Sequence, residues 1–310
     1  MKYLTLLFLA LAASAAQAKS ILLIKNADAP LYDDVARELT ATLERDHIVR
    51  LVSLEGTRTV DEARERLRRA APGPADLIIA LGDRAAWMAN SDFGNIPYLF
   101  AMVANWEGLK LDRTRAVGVA MQLAPETMAS HIKMFLPGRR RAGVVYTAAT
   151  RGFVERAMTR AAELEITLIP VFIKGAEEFL PAMKAISSTV DLLWLVEDPS
   201  LVTPENLIGI RDLSSEARVP VLAYSRGLVD GGLTMAITPD RSAVAGQLLQ
   251  LVQRTLAGEV PASINVEAPD RTSVFLNRQA VDQLSIQLDP GVASFATLVD
   301  TQTSKKSGGR

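Results

Sequence analysis

Asp76-Leu77-Ile78-Ile79-Ala80-Leu81-Gly82-Asp83-Arg84-Ala85-Ala86 is the stretch on which the architecture turns. Five successive apolar residues with no polar alternation describe a strand covered on both faces, the habit of parallel strands between helix layers. Gly82 then permits a tight turn, and a short helix follows it. Toward the N-terminus, a strand over 20–25 precedes a helix opened by Asp28 and Pro30, whose apolar positions Leu31, Val35, Leu39 and Leu43 share one face. A second strand over 48–54 and a charged helix over 60–71 lead back to Asp76. The charged face of that helix (Glu62, Arg64, Glu65, Arg66, Arg68, Arg69) is a solvated surface with i,i+4 pairs.

Toward the C-terminus a strand is expected over 97–102, and after Val117-Gly118-Val119 the pattern restarts. Pro125 begins a helix with Met128, Ile132 and Phe135 inward, closed by Pro137-Gly138. Strands follow over 141–146, 166–172, 191–196 and 219–224. The helices between them include one lined by Phe153, Ala157, Ala161 and Leu164, and others over 177–187 and 205–217. The segment 231–239 reads as a strand with no helix before it. Asp240 caps a long helix (Val244, Leu248, Leu251, Val252) that ends at Gly258, and short β runs follow over 264–267 and 273–276. Alternating β and α elements predict parallel sheets with right-handed crossovers. Two successive sets of four or five strands predict two similar sheets rather than one very large one.

The first eighteen residues read as an export signal: Lys2 supplies positive charge, Leu4 to Ala12 an apolar stretch, and Ala16-Gln17-Ala18 a small-x-small cleavage shape. That stretch falls well short of the roughly twenty apolar residues that span a bilayer. Cleavage after Ala18 leaves Lys19 first and places the protein in the periplasm. With zero cysteines there is no lipid attachment, disulfide, thiol nucleophile or Cys-ligated metal. Hydrophobic residues make up 49% of the chain and charged ones 22%, enough for a substantial core. The near-neutral net charge of -1 argues against nucleic acid as a partner, since phosphate binding wants a basic face.

Several segments, in order, carry a resemblance. They are Ala80–Ala86, Leu136-Pro137-Gly138 before the strand at 142–146, Val219-Pro220-Val221-Leu222-Ala223-Tyr224, Val229-Asp230-Gly231-Gly232-Leu233, Leu256-Ala257-Gly258 with Pro261, and Phe275-Leu276-Asn277. Together they resemble the ABC-transporter substrate-binding protein family related to tryptophan/tyrosine-type binding proteins. The resemblance implies the type I periplasmic-binding-protein fold: α/β, with two Rossmann-like lobes of parallel sheet joined by three crossovers and a hinge. It further implies a return to the first lobe near Leu233 to Ile237. The domains expected are a signal peptide over 1–18, lobe one over 19–118 plus 232–265, lobe two over 119–231 plus 266–297, and a disordered tail over 298–310. The chain departs from the family at Asp83, where members carry threonine after the glycine, and over 112–118, where they carry a Gly-Asn-x-Thr-Gly pattern. Ligand identity is therefore not inherited.

In open α/β sheets ligands sit beyond the carboxyl ends of the strands. The free N–H groups of Asp83, Arg84 and Ala85 after Gly82 favour an anion; alternatively Asp83 caps its own helix, and a ligand ammonium then suits the site better. Tyr146 and Thr147, and Tyr224 and Ser225, follow strands of the second lobe, where an aromatic ring with a polar tip orients a small ligand or simply packs a strand end. Glu197 and Asp198 either grip an amino group or form a solvated turn. Asn26, Asp28, Val103 and Asn105 are strand-end positions of the same kind, and Asp230 completes the candidate ligand-binding set. His47 and His131 lack partners at triad or metal spacing, and no Gly-x-Gly-x-x-Gly follows the first strand. No cofactor, metal or catalytic group is expected. The function expected is capture of a small molecule, amino-acid-like in the simplest case, by a monomer that serves an inner-membrane ABC permease. The alternatives are a periplasmic sensor on the same fold and, more remotely, a hydrolase on a doubly wound fold.

Overall fold

The computed structural model describes residues 17–198, 200–201 and 203–301. The expected export segment lies outside the described residues except for its last two positions, and so does the tail from 302 onward. Strands β1 (Ser20–Lys25), β2 (Ile48–Ser53), β3 (Leu77–Leu81), β4 (Tyr98–Ala101) and β5 (Ala116–Gly118) form a parallel sheet in the order β2-β1-β3-β4-β5. Helices α1 (Pro30–Leu43), α2 (Val60–Ala70) and α3 (Asp83–Asp92) connect them. Every residue of β3 is buried, as its unbroken apolar run requires. The α1 stripe differs by one turn: Val35, Ala36, Leu39 and Leu43 are buried, whereas Leu31 is 39% exposed.

The second sheet follows α4 (Pro125–Phe135). It comprises β6 (Arg141–Tyr146), β7 (Thr167–Phe172), β8 (Leu192–Trp194), β9 (Val221–Ala223), β10 (Met235–Pro239), β11 (Thr272–Asn277) and β12 (Ala296–Val299). The order is β12-β11-β10-β9-β8-β6-β7, parallel except between β10 and β11. Helices α5 (Arg151–Glu163), α6 (Phe179–Ser187), α7 (Pro204–Ala217) and α8 (Arg226–Asp230) make its crossovers. After α9 (Arg241–Leu256), the short helices α10 (Arg278–Gln283) and α11 (Pro290–Ala293) join β11 to β12. Apolar cores fill both faces of both sheets.

Four expectations about the C-terminal third need correction. β10 stays in the second sheet, with Met235 opposite Leu222 of β9 and Leu276 of β11. A parallel neighbour of β9 needs a crossover on one face, and the five residues of α8 supply it, so a helix does precede this strand. The return to the first sheet is made instead by α9, whose Val244, Leu248, Leu251 and Val252 pack with Val35, Leu39 and Leu43 of α1. The run over 264–267 is no strand, only a single bridge between Glu267 and Val119. Residues 298 and 299 belong to β12 rather than to a tail.

Three segments thus cross between the sheets: 119–124, the β10–α9 junction, and 265–271. They are bonded to one another. Ala120 N–H donates to Glu267 O and Glu267 N–H to Gly118 O, each at 2.9 Å, and Asp240 N–H donates to Arg271 O at 2.9 Å. Gln247 of α9, 3% exposed, donates to Ala268 O at 2.9 Å and accepts from Asp270 N–H at 3.1 Å. His131 of α4 reaches Thr272 Oγ1 at 2.9 Å and the Thr127 carbonyl at 2.7 Å, a boundary role rather than a catalytic one.

Candidate functional site

Each sheet has one place where its winding reverses, and a crevice opens there at the carboxyl ends of the two strands concerned. In the first sheet it lies between β1 and β3, in the second between β6 and β8. The residues after these four strands are Asn26, Gly82-Asp83, Thr147 and Glu197-Asp198. One side-chain hydrogen bond bridges each crevice. Asn26 Oδ1 accepts the Ala85 N–H at 2.8 Å, capping α3 from the end of β1. Thr147 Oγ1 donates to Asp198 Oδ2 at 2.6 Å. Gly82 is required for the first bridge: its φ is +102°, and a Cβ would stand 2.4 Å from Asn26 Cγ.

Asp83 is not the cap of its own helix. Gly82 holds that position without a side-chain bond, and the Asp83 carboxylate accepts from Ala104 N–H at 3.1 Å. Burial lifts the Asp83 carboxyl above its ordinary value, against the pull of that N–H. From the second lobe, Glu197 is pushed up to about 7, first by burial and then by the Asp83 charge facing it. Tyr224 is pushed up to about 12 by burial, with Glu197 and Asp198 adding. Tyr32, in the first turn of α1, is raised by burial and by Asp83, opposed by Asn26, with Glu197 adding. Asp83 and Glu197 thus lie within electrostatic range of each other and of Tyr32, and Glu197 within range of Tyr224.

No protein cation answers them among the described residues: no lysine or arginine acts on Asp83 or Glu197. Lys25 closes β1 opposite Leu81 of β3. Burial pulls its ammonium down, but Asp28 (2.7 Å) and Asp33 outweigh that and hold it above its ordinary value. Beneath Glu197 lies a cavity of about 40 Å³. It is lined by Met121 and Gln122 of the first crossing, Phe153, Trp194, Tyr224 and Pro239. This is far below the ~300–1,000 Å³ of drug-sized ligand pockets.

The other candidates separate cleanly. Ala85 and Val103 are buried in the core behind the crevice and present no side chain to it. With Ala85 N–H taken by Asn26, the three-donor anion site expected at α3 is not available. Arg84 turns away, donating to Thr57 O at 2.6 Å and to Thr59 O. Asp198 is buried and fully engaged by Thr147 and by Ser200, whose N–H donates at 3.1 Å, so it builds the turn. Tyr146 packs edge-on against Phe172, with ring centroids 5.6 Å apart. Ser225 precedes α8 without a capping bond. Asp230 lies at the far end of α8, beside the Asn277 end of β11, remote from the crevices and paired with Arg226 at 3.5 Å. Asn105 bonds the Gly108 N–H. Tyr32 and the crossing residues Met121 and Gln122 were not foreseen. An aromatic residue in the first turn after β1 was the available signal for Tyr32.

A sequence profile described as "ABC transporter substrate binding protein" matches residues 60–299. No curated protein matches. Among solved structures, the ligand-free, open form of a substrate-binding protein with adhesive properties from Clostridium difficile superposes with a TM-score of 0.74 at 16% identity, covering 92% of this chain and 100% of that one. A Streptococcus pneumonia ABC domain in complex with L-Trp gives 0.64 at 16% identity, covering 91% and 99%. A periplasmic ribose ABC transporter protein from Conexibacter woesei gives 0.57 at 14%, covering 87% and 95%. This chain belongs to the ABC transporter substrate-binding protein family, whose members are solute-binding proteins rather than enzymes, and it has their type I periplasmic-binding-protein fold.

Proposed function

We propose that the protein is exported to the periplasm, where as a monomer it captures a small solute bearing a positive charge, an amine or amino-acid-like molecule, between its lobes and presents it to an ABC importer. The observation that carries this reading is the convergence of Asp83 and Glu197 from opposite lobes with no protein cation between them. Like charges held together in a partly buried cleft are costly, and a ligand ammonium removes that cost. The flanking phenols of Tyr32 and Tyr224 suit the same guest, offering aromatic faces and polar tips.

The test is a thermal-shift and calorimetric screen of the purified protein against amines, amino acids, sugars and organic acids. A ligand at about a hundred times its dissociation constant stabilises by roughly 2.7 kcal/mol, a visible shift. Amines and amino acids are expected among the hits, with binding lost in Asp83→Asn. Stabilisation by sugars or dicarboxylates alone would sink the cationic-solute reading.

A further inference from the structure

The recess beneath Glu197 has two unlike sides. Its floor is buried and apolar: Leu123, Met128, Trp194, Val196 and Ile237 all belong to one core of the second lobe. Trp194 stands edge-on to Phe153, with ring centroids 6.0 Å apart and planes at 90°, so this wall is set before any guest arrives. The rim is half-buried and carries Gln122, Glu197 and Tyr224 together with Met121 and Phe153. Two of the three crossings supply wall residues, Met121 to Leu123 from the first and Pro239 from the β10–α9 junction. Met121 packs with a core of the first lobe, whereas Leu123 packs with one of the second. A guest seated here therefore touches both lobes where they join.

The recess is open on one side and holds about 40 Å³. A water-sized group needs about 10–15 Å³ of such space, so about three non-hydrogen atoms fit. A whole solute does not fit, and neither does a phenyl ring. Apolar atoms gain by leaving water for such a floor, while a polar or charged head is better kept at a rim of carboxylate, amide and phenol. We propose that this recess is a side-chain subsite of the solute site, taking a short aliphatic group of about three non-hydrogen atoms with the solute's head toward Glu197, Gln122 and Tyr224. The solute class is then a short-chain aliphatic amine or amino acid rather than an aromatic one, and Met121, Met128 and Phe153 set the length accepted. This rests on the cleft being the site of a cationic solute, and it adds the other half of that solute.

Methionine methyl groups make the test local. Met121 and Met128, two of the nine methionines, line the recess. Isotope-labelled methionine methyls give NMR signals that Met121→Leu and Met128→Leu assign. Ethylamine, propylamine, isobutylamine, isopentylamine and phenethylamine are titrated into the purified protein. Affinity should rise about fourfold for each carbon added up to isobutylamine and then level off, with both methyl signals moving. Phenethylamine should bind more weakly than isobutylamine. Met121→Phe, which narrows the recess from the rim, should flatten the series, and Phe153→Leu should let isopentylamine overtake isobutylamine; thermal melting checks that each variant is folded. Affinity indifferent to chain length, neither methyl signal moving, or tighter binding of phenethylamine than isobutylamine overturns the subsite. Ethanol and isobutanol present alkyl groups from the same series without the charge. If isobutanol moves the Met121 and Met128 signals while no amine binds, the subsite stands and the cationic-solute reading falls. If amines bind and leave both signals unmoved, that reading stands and the subsite falls. No response to either series overturns the subsite.

Discussion

Replacing Glu197 with glutamine keeps the volume of the side chain and removes its titration, so the pH dependence of stability should change in a calculable way. In the folded chain this carboxyl is raised from 4.5 to about 7, burial being the larger cause and Asp83 the second. A carboxyl raised in the folded state binds its proton more tightly there than in the unfolded chain. Its contribution is therefore fully present below 4.5 and lost as pH rises through about 7. The interval corresponds to about 3 kcal/mol, an upper bound because the lobes relieve part of the strain by parting. Urea denaturation of both proteins between about pH 4 and pH 8 measures it. Any cost of burying the glutamine amide is the same at every pH and cancels in the comparison. The two stabilities should keep a constant offset near pH 4 and diverge above it, the variant gaining up to ~3 kcal/mol by pH 8. Asp83→Asn should move the Glu197 transition toward lower pH without restoring the ordinary value, since burial remains. Parallel curves for the parent and Glu197→Gln across the whole range would refute the assignment of a raised, unanchored carboxyl at this position.

Two further outcomes follow from the bridges across the crevices. Gly82→Ala places a methyl 2.4 Å from Asn26 Cγ at a φ of +102°, which should cost about 2–3 kcal/mol by denaturation and free the Ala85 N–H that Asn26 now accepts. Thr147→Val removes the donor to a buried Asp198 carboxylate; a loss of about 1–3 kcal/mol in stability is expected, with weaker solute binding because Glu197 is the next residue in that turn. A threonine-to-serine change should retain most of both, and equal loss from serine and valine would rule out the hydrogen bond as the cause.

Much of the architecture is local information. Leu77 to Leu81 is continuously apolar because both faces of the strand are covered, and that alone implies a helix layer on each side. A strand that runs through a glycine into a helix exposes its next residues at the carboxyl end. Asn26, Asp83, Thr147, Glu197 and Tyr224 were therefore legible as a positional class. Which members of that class turn toward the crevices was not legible. Ala85 and Val103 share the position but are turned into the core, and Asp230 lies at the opposite end of the sheet.

Sheet membership is decided by hydrogen bonds between residues far apart in sequence, and hydrophobic periodicity carries no record of the partner. For this reason β10 looked like the returning strand, while its pairing with β9 and β11 keeps it in the second sheet and leaves the return to α9. The strand orders, and with them the two reversals of winding, are equally non-local. The sequence by itself determined two parallel α/β units with polar residues at their strand ends. Tertiary structure alone decided that Asp83 and Glu197 come within electrostatic range of each other, because the charge of a site is a sum over groups that only folding brings within range.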